Sequence, residues 1–115
     1  MTNLQNSSFD RQRKFFRSGV TRPLAFRVQM LDRLARAISD REDEILASLT
    51  ADLGKSRTEG YATEVGLCRA EITHARRNLH KWAKPRRVRG SWLFPLARGN
   101  VLPEPRGVCL IISPW

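Results

Sequence analysis

The sequence predicts a mainly α-helical chain: a helical layer over residues 9–84, a linker, and one or two β-strands at the end. Three observations predict this. Apolar residues recur every three or four positions through most of residues 24–82. Capping residues before those stretches, and glycine or proline after them, punctuate the pattern at helix-length intervals. The strong strand-like run, GVCLIISPW at residues 107–115, comes last.

Length and composition bound the rest. A chain of 115 residues holds at most one small domain, and 41% hydrophobic residues support a modest core. Lys and Arg number 21 against 11 Asp and Glu, a formal charge of +10. Such an excess suits either an anionic partner or a basic solvated surface, and the surface is the preferred reading. Two cysteines do not make a disulfide scaffold. Cys68, in a helical pattern, and Cys109, in the apolar run, read as small buried hydrophobes in a reducing compartment. The opening MTNLQNSSFDRQRKFF lacks the apolar core of a signal peptide. No stretch approaches the roughly 20 apolar residues of a membrane-spanning helix. The expected location is cytoplasmic.

Residues 1–8 are polar and expected to be flexible. Ser8 suits the N-cap of a short basic helix from Phe9 to Arg17, closed by Ser18 and Gly19. Thr21 and Pro23 then open a second helix. Its apolar face is Leu24, Val28, Leu31, Leu34, Ala35 and Ile38. Asp40 is expected to start a new helix, with Glu42, Asp43 and Glu44 in the first turn, where the macrodipole favours anions. Ile45, Leu46, Leu49 and Leu53 form its apolar side and Gly54 ends it. The pair spans 22–54 with a break near 40.

Ser56 and Glu59 form a capping box, so a third long helix is expected over 57–84. Its stripe is Tyr61, Val65, Cys68, Ile72, Ala75, Leu79 and Trp82, which suits a face packed on neighbouring helices. Pro85 stops it. Residues 85–100, rich in Pro, Gly and Arg, read as a linker, with extended structure expected only after about 97. Pro103 and Pro105 place their missing N–H groups on one side, which suits an edge strand or a bent approach to one. Gly107 permits a change of direction. Val108–Ile112 is apolar on both faces, the pattern of a strand covered on both sides. The sequence offers it no crossover helix and no second strand, so this strand is expected to need a sheet from elsewhere.

Residues 74–92 gather Arg76, Arg77, Lys81, Lys84, Arg86, Arg87 and Arg89 around Trp82 and Trp92. Cations with interleaved aromatics suit phosphate contact and base stacking, so a small basic helical nucleic-acid-binding module is the alternative reading. Against it, Trp82 lies on the apolar stripe and no recognition module is matched. His74 and His80 are six apart, on different faces of one helix, with no further ligands to complete a metal set. Glu42, Asp43 and Glu44 are explained by the helix start. No phosphate loop follows a strand, and no nucleophile elbow is present. No catalytic or metal-binding residue is therefore assigned.

The run EPRGVCLIISPW resembles the start of the cofactor domain in the aldehyde dehydrogenase superfamily. There a Glu-Pro-x-Gly-Val segment leads into the first sheet strand and a Pro-Trp-Asn turn. SGVTRPLAFRVQMLDRLARAI, ILASLTADLGKS, EGYATEVG and LHKWAKPRRV look like the helical N-terminal region of the class 3 branch, which includes fatty and aromatic aldehyde dehydrogenases. The resemblance runs from about residue 9 to residue 115. It implies an α/β parent fold with a Rossmann-like cofactor domain, of which residues 101–115 supply the approach and first strand. It implies NAD(P)-dependent oxidation of an aldehyde to an acid, by a complete enzyme that is a homodimer. By position, Ile112, Ser113, Pro114 and Trp115 would line the cofactor cleft. The family's oxyanion-donating Asn, nucleophilic Cys, general-base Glu and dinucleotide-contacting glycines fall beyond Trp115, and neither Cys68 nor Cys109 matches the nucleophile's motif. The resemblance therefore implies a chain that is inactive alone, holds neither NAD nor NADP tightly, and has the remainder of the dehydrogenase as its partner, with no specific nucleic acid.

Overall fold

The computed structural model describes the backbone of residues 2–7 and all of residues 8–90, 92, 93 and 96–112. Its elements are α1 (Thr2–Arg17), α2 (Leu24–Asp40), α3 (Glu42–Leu53), α4 (Arg57–Gly60), a π-helical turn (Tyr61–Val65), α5 (Gly66–Trp82), β1 (Arg86–Arg89) and β2 (Arg98–Val101). The mainly helical class with terminal strands matches the expectation. Two compact units share the chain: Arg27–Leu79, and the segments flanking it.

In the Arg27–Leu79 unit, Val28, Leu31, Ala35 and Ile38 of α2 are half-buried, as their spacing predicts, while Leu34 is exposed. The break near 40 is real, but Asp40 does not start α3. It is the last residue of α2, and Arg41 (φ −116°, ψ 18°) makes the bend. Glu42, Asp43 and Glu44 then occupy the first turn of α3. Two of these carboxylates also meet arginines. Glu42 accepts from Arg69 at 3.3 Å, and Asp43 accepts from Arg57. The hydrogen bond and charge of Asp43 raise the Arg57 guanidinium above its ordinary pKa. Gly54 ends the helix in the left-handed region at φ 67°, its N–H donating to Thr50 O at 3.0 Å.

The capping signal at Ser56 is correct: its Oγ accepts from the Glu59 N–H at 3.2 Å. The helix it opens is not uninterrupted. The Gly66 N–H reaches back five residues to Tyr61 O, closing the π turn. Gly66, not Val65, thus lies one turn beyond Tyr61, and Tyr61 leaves the stripe and is exposed. Val65 and Ile72 stay on it and are buried, at 2% and 8% exposure, with Leu46 of α3 at 3%. Each such aliphatic burial contributes roughly 1.5–3 kcal/mol. Ala75 and Leu79 are half-buried. Cys68 is exposed, against the expectation of burial, because no described neighbour covers that part of the stripe. Asp32 of α2 pairs with Arg76 of α5 at 3.2 Å.

In the other unit, α1 begins at Thr2 rather than Phe9. Residues 2–8 carry no Gly or Pro, so nothing in them stops the helix from propagating toward the N-terminus. Ser8 is therefore interior to α1, and its Oγ accepts from the Arg11 guanidinium at 3.0 Å instead of capping. The expected stop at Ser18 and Gly19 is present, with Gly19 at φ 79°. Phe15 packs on Phe26 with ring centroids 6.2 Å apart. Trp82, expected in the core, is exposed.

The largest departure lies at residues 85–100. The composition of a linker hides β1, so extended structure begins at Arg86 rather than near 97. β1 pairs antiparallel with β2 in the register Arg86–Val101, Arg87–Asn100, Val88–Gly99 and Arg89–Arg98. No alternation of apolar residues announces this ribbon, whose strands are held by each other's backbone. Val108–Ile112, expected to be a strand, has no regular secondary structure, because among the described residues no strand lies beside it to pair with. Among the described residues no helix is long and apolar enough to cross a membrane.

Candidate functional site

The segment that follows β2 carries the residues assigned to a cofactor cleft. Leu102–Arg106 is exposed, and Pro103 and Pro105 donate no backbone hydrogen bonds there. Gly107 turns the chain at φ 114° against Phe16 of α1, whose Cε1 lies 3.5 Å from where a β-carbon would sit. Val108 is half-buried beside it. Beyond that anchor the run is uncovered: Leu110, Ile111 and Ile112 are 85%, 87% and 83% exposed. Of the four predicted cleft residues only Ile112 is described. Ser113, Pro114 and Trp115 lie outside the described residues.

The chemistry this arrangement supports is limited by its thiols. A nucleophilic thiolate needs a neighbouring base or cation to form it. Cys109 Sγ contacts Gly107 O at 3.8 Å, a weak contact. Among the described residues neither it nor Cys68 hydrogen-bonds to an imidazole or a carboxylate. Nor does any group of three or more His, Cys, Asp or Glu among them converge on a metal position. His74 and His80 are both exposed, and the Asn78 amide donates to His74 O at 2.9 Å.

The basic residues divide by element. Arg76 is engaged by Asp32. On the ribbon, strand alternation puts Arg87 and Arg89 on one face and Arg86 and Val88 on the other. The register then adds Arg98 and Asn100 to the Arg87–Arg89 face, a grouping that sequence reasoning missed because residues 98–100 lie outside the 74–92 cluster. The available signal was two short runs, RRVR and RGNV, separated by a segment carrying Gly90 and Pro95.

Comparison with known proteins fits a helical start leading to an uncovered apolar segment. Residues 7–115 match the aldehyde dehydrogenase family. Aldehyde dehydrogenase family 3 member A2 of Mus musculus is 44% identical over 105 residues, which are 91% of this chain and 22% of that protein. The 4,4'-diaponeurosporen-aldehyde dehydrogenase of Staphylococcus aureus is 37% identical over 114 residues, 98% of this chain and 25% of that protein. A solved structure, the substrate-bound state of Staphylococcus aureus AldH, superposes with a TM-score of 0.81 at 32% identity, over 91% of this chain and 23% of that one. The chain thus spans about a quarter of the length of the relatives it matches.

Proposed function

The chain belongs to the aldehyde dehydrogenase family, and we propose that it supplies the N-terminal quarter of an enzyme oxidising aldehydes to carboxylic acids. The family is NAD(P)-dependent. The observation that carries the proposal is the match itself, which runs through residues 7–115 while covering only about a quarter of the relatives. The alternative reading, a basic nucleic-acid-binding module, has no support beside it.

Oxidation of an aldehyde requires a thiolate that adds to the carbonyl, a hydride acceptor and a base that activates water against the thioester. The nicotinamide cofactor supplies the acceptor. On this reading the thiolate, the base and the dinucleotide cradle belong to the other three quarters of the enzyme. This chain contributes scaffold and, through Ile112, Ser113, Pro114 and Trp115, one wall of the cofactor cleft. Open α/β sheets bind ligands at the carboxyl ends of their strands, and the resemblance puts these four residues at the end of the first one. The described residues do not fit the cofactor unaided, since Ile112 is exposed and no ladder backs it. The partner of this surface is the remainder of the dehydrogenase, in a cytoplasmic homodimer, and the basic residues are otherwise solvated surface.

The test is to incubate the 115-residue chain with several aldehydes and either NAD or NADP. No reduced cofactor and no tight cofactor binding are expected. Turnover that survives replacement of both Cys68 and Cys109 refutes the proposal.

A further inference from the structure

We propose that Phe16 of α1 is a positioning residue for the cofactor: its ring holds Gly107 and so sets the direction in which residues 108–112 leave the turn. This role rests on the proposed function, in which that run ends as one wall of the cofactor cleft. Phe9, Arg13, Phe16 and Arg17 recur at helical spacing on one side of α1 and line a depression with Gly107 and Val108. The three heavy atoms nearest to where a β-carbon of Gly107 would sit all belong to the Phe16 ring, at 3.5, 3.6 and 3.9 Å. The ring therefore lies against the bare backbone of a turn at φ 114°, a conformation that glycine allows.

Phe16, Gly107 and Val108 are half-buried, whereas Leu102–Arg106 before the turn and Cys109–Ile112 after it are exposed. Among the described residues, the segment after β2 is thus covered only here. The helix end that carries Phe16 is itself fixed: the Gly19 N–H donates to Phe16 O at 3.1 Å, and the neighbouring Phe15 ring packs on Phe26. Adjacent rings face different partners, Phe15 meeting α2 and Phe16 the turn. Ile112 stands five residues beyond Gly107, up to about 17 Å away in an extended chain, so a small rotation at the turn displaces it widely. A wall already held when the cofactor arrives spares binding the cost of ordering it. Losing the hold should therefore weaken cofactor binding and leave the chemical step, which Phe16 does not touch, nearly unchanged.

The experiment uses a chimera in which this chain replaces the corresponding region of the Staphylococcus aureus relative. Phe16→Ala should raise KM at least tenfold for whichever of NAD or NADP the chimera reduces, with kcat and the aldehyde KM within threefold. Phe16→Leu, which keeps apolar bulk against the turn, should recover most of the loss. Phe15→Ala removes the ring packed on Phe26 and should lower the melting temperature while leaving the cofactor KM within twofold. In the 115-residue chain, the NMR signals of the Gly107 α-protons should move in Phe16→Leu, which removes the ring current, and stay in place in Phe15→Leu. An active chimera in which Phe16→Ala leaves the cofactor KM unchanged, or in which Phe15→Ala raises it equally, overturns the anchor alone. So do Gly107 signals indifferent to Phe16→Leu. An unsubstituted chimera that folds but oxidises nothing refutes the proposed function, and the positioning role with it.

Discussion

Gly60 packs directly against Leu46: a β-carbon built on Gly60 would lie 3.2 Å from Leu46 Cδ2. Gly60 has ordinary helical dihedrals, so glycine is present there for close approach rather than for an unusual backbone. α4 rests on α3 at this point, beside the buried Leu46 that anchors the Arg27–Leu79 core. Gly60→Leu should therefore overpack the contact and destabilise the chain by about 1–3 kcal/mol. Urea unfolding followed by circular dichroism measures it, and an unchanged midpoint would remove the contact from the account.

The cap at Ser56 makes a second, smaller prediction. Its Oγ satisfies the Glu59 N–H at the start of α4. Ser56→Ala should cost about 1 kcal/mol, while Ser56→Asp, which keeps an acceptor, should cost little. The comparison of the two variants, not either alone, identifies the cap.

The uncovered apolar run behaves differently in two settings. In the 115-residue chain Ile111 is 87% exposed, so Ile111→Ser should change stability by no more than about 0.5 kcal/mol. The same change should reduce self-association, since an exposed apolar segment without a pairing partner seeks other edges. If the run becomes a covered strand within a complete dehydrogenase, as proposed, Ile111→Ser should there cost about 2 kcal/mol or more. Equal effects in both settings would contradict the role given to residues 108–112. Thermal melts and light scattering on both proteins supply the numbers.

What the sequence made legible follows from which signals are local. The Ser56 cap, the Gly54 stop, the acidic first turn of α3 and the stripe through Val65 and Ile72 are set by neighbours within a turn or two, and each is found where expected. The π turn at Tyr61–Val65 has no such signal, because one inserted residue changes helical phase without changing composition. β1 was hidden for a related reason. Arg86–Arg89 has no apolar face, so only its pairing with Arg98–Val101 reveals it as a strand. Exposure of Cys68 and Trp82 escaped as well, since periodicity identifies a face but not what covers it. Of the cleft residues, the sequence named four by resemblance, and the described structure reaches only Ile112.

The charge surplus predicts a salt-sensitive, non-specific affinity for DNA. With Arg86, Arg87 and Arg89 exposed, the chain should bind duplex DNA weakly, without sequence preference, and lose that binding steeply as salt rises. Fluorescence anisotropy at two salt concentrations decides it. Sequence-selective, submicromolar binding at physiological salt would restore the nucleic-acid reading.

If these 115 residues serve as the N-terminal quarter of an aldehyde dehydrogenase, they should do so in the frame of a relative. The most direct measurement replaces the corresponding region of the Staphylococcus aureus relative, 37% identical over 114 residues, with this chain and follows cofactor reduction with aldehyde present. The chimera should oxidise aldehyde, and neither the 115-residue chain nor the remaining three quarters of the relative should do so alone. A chimera that folds, by circular dichroism and a cooperative melt, yet turns over no aldehyde with NAD or NADP would contradict it.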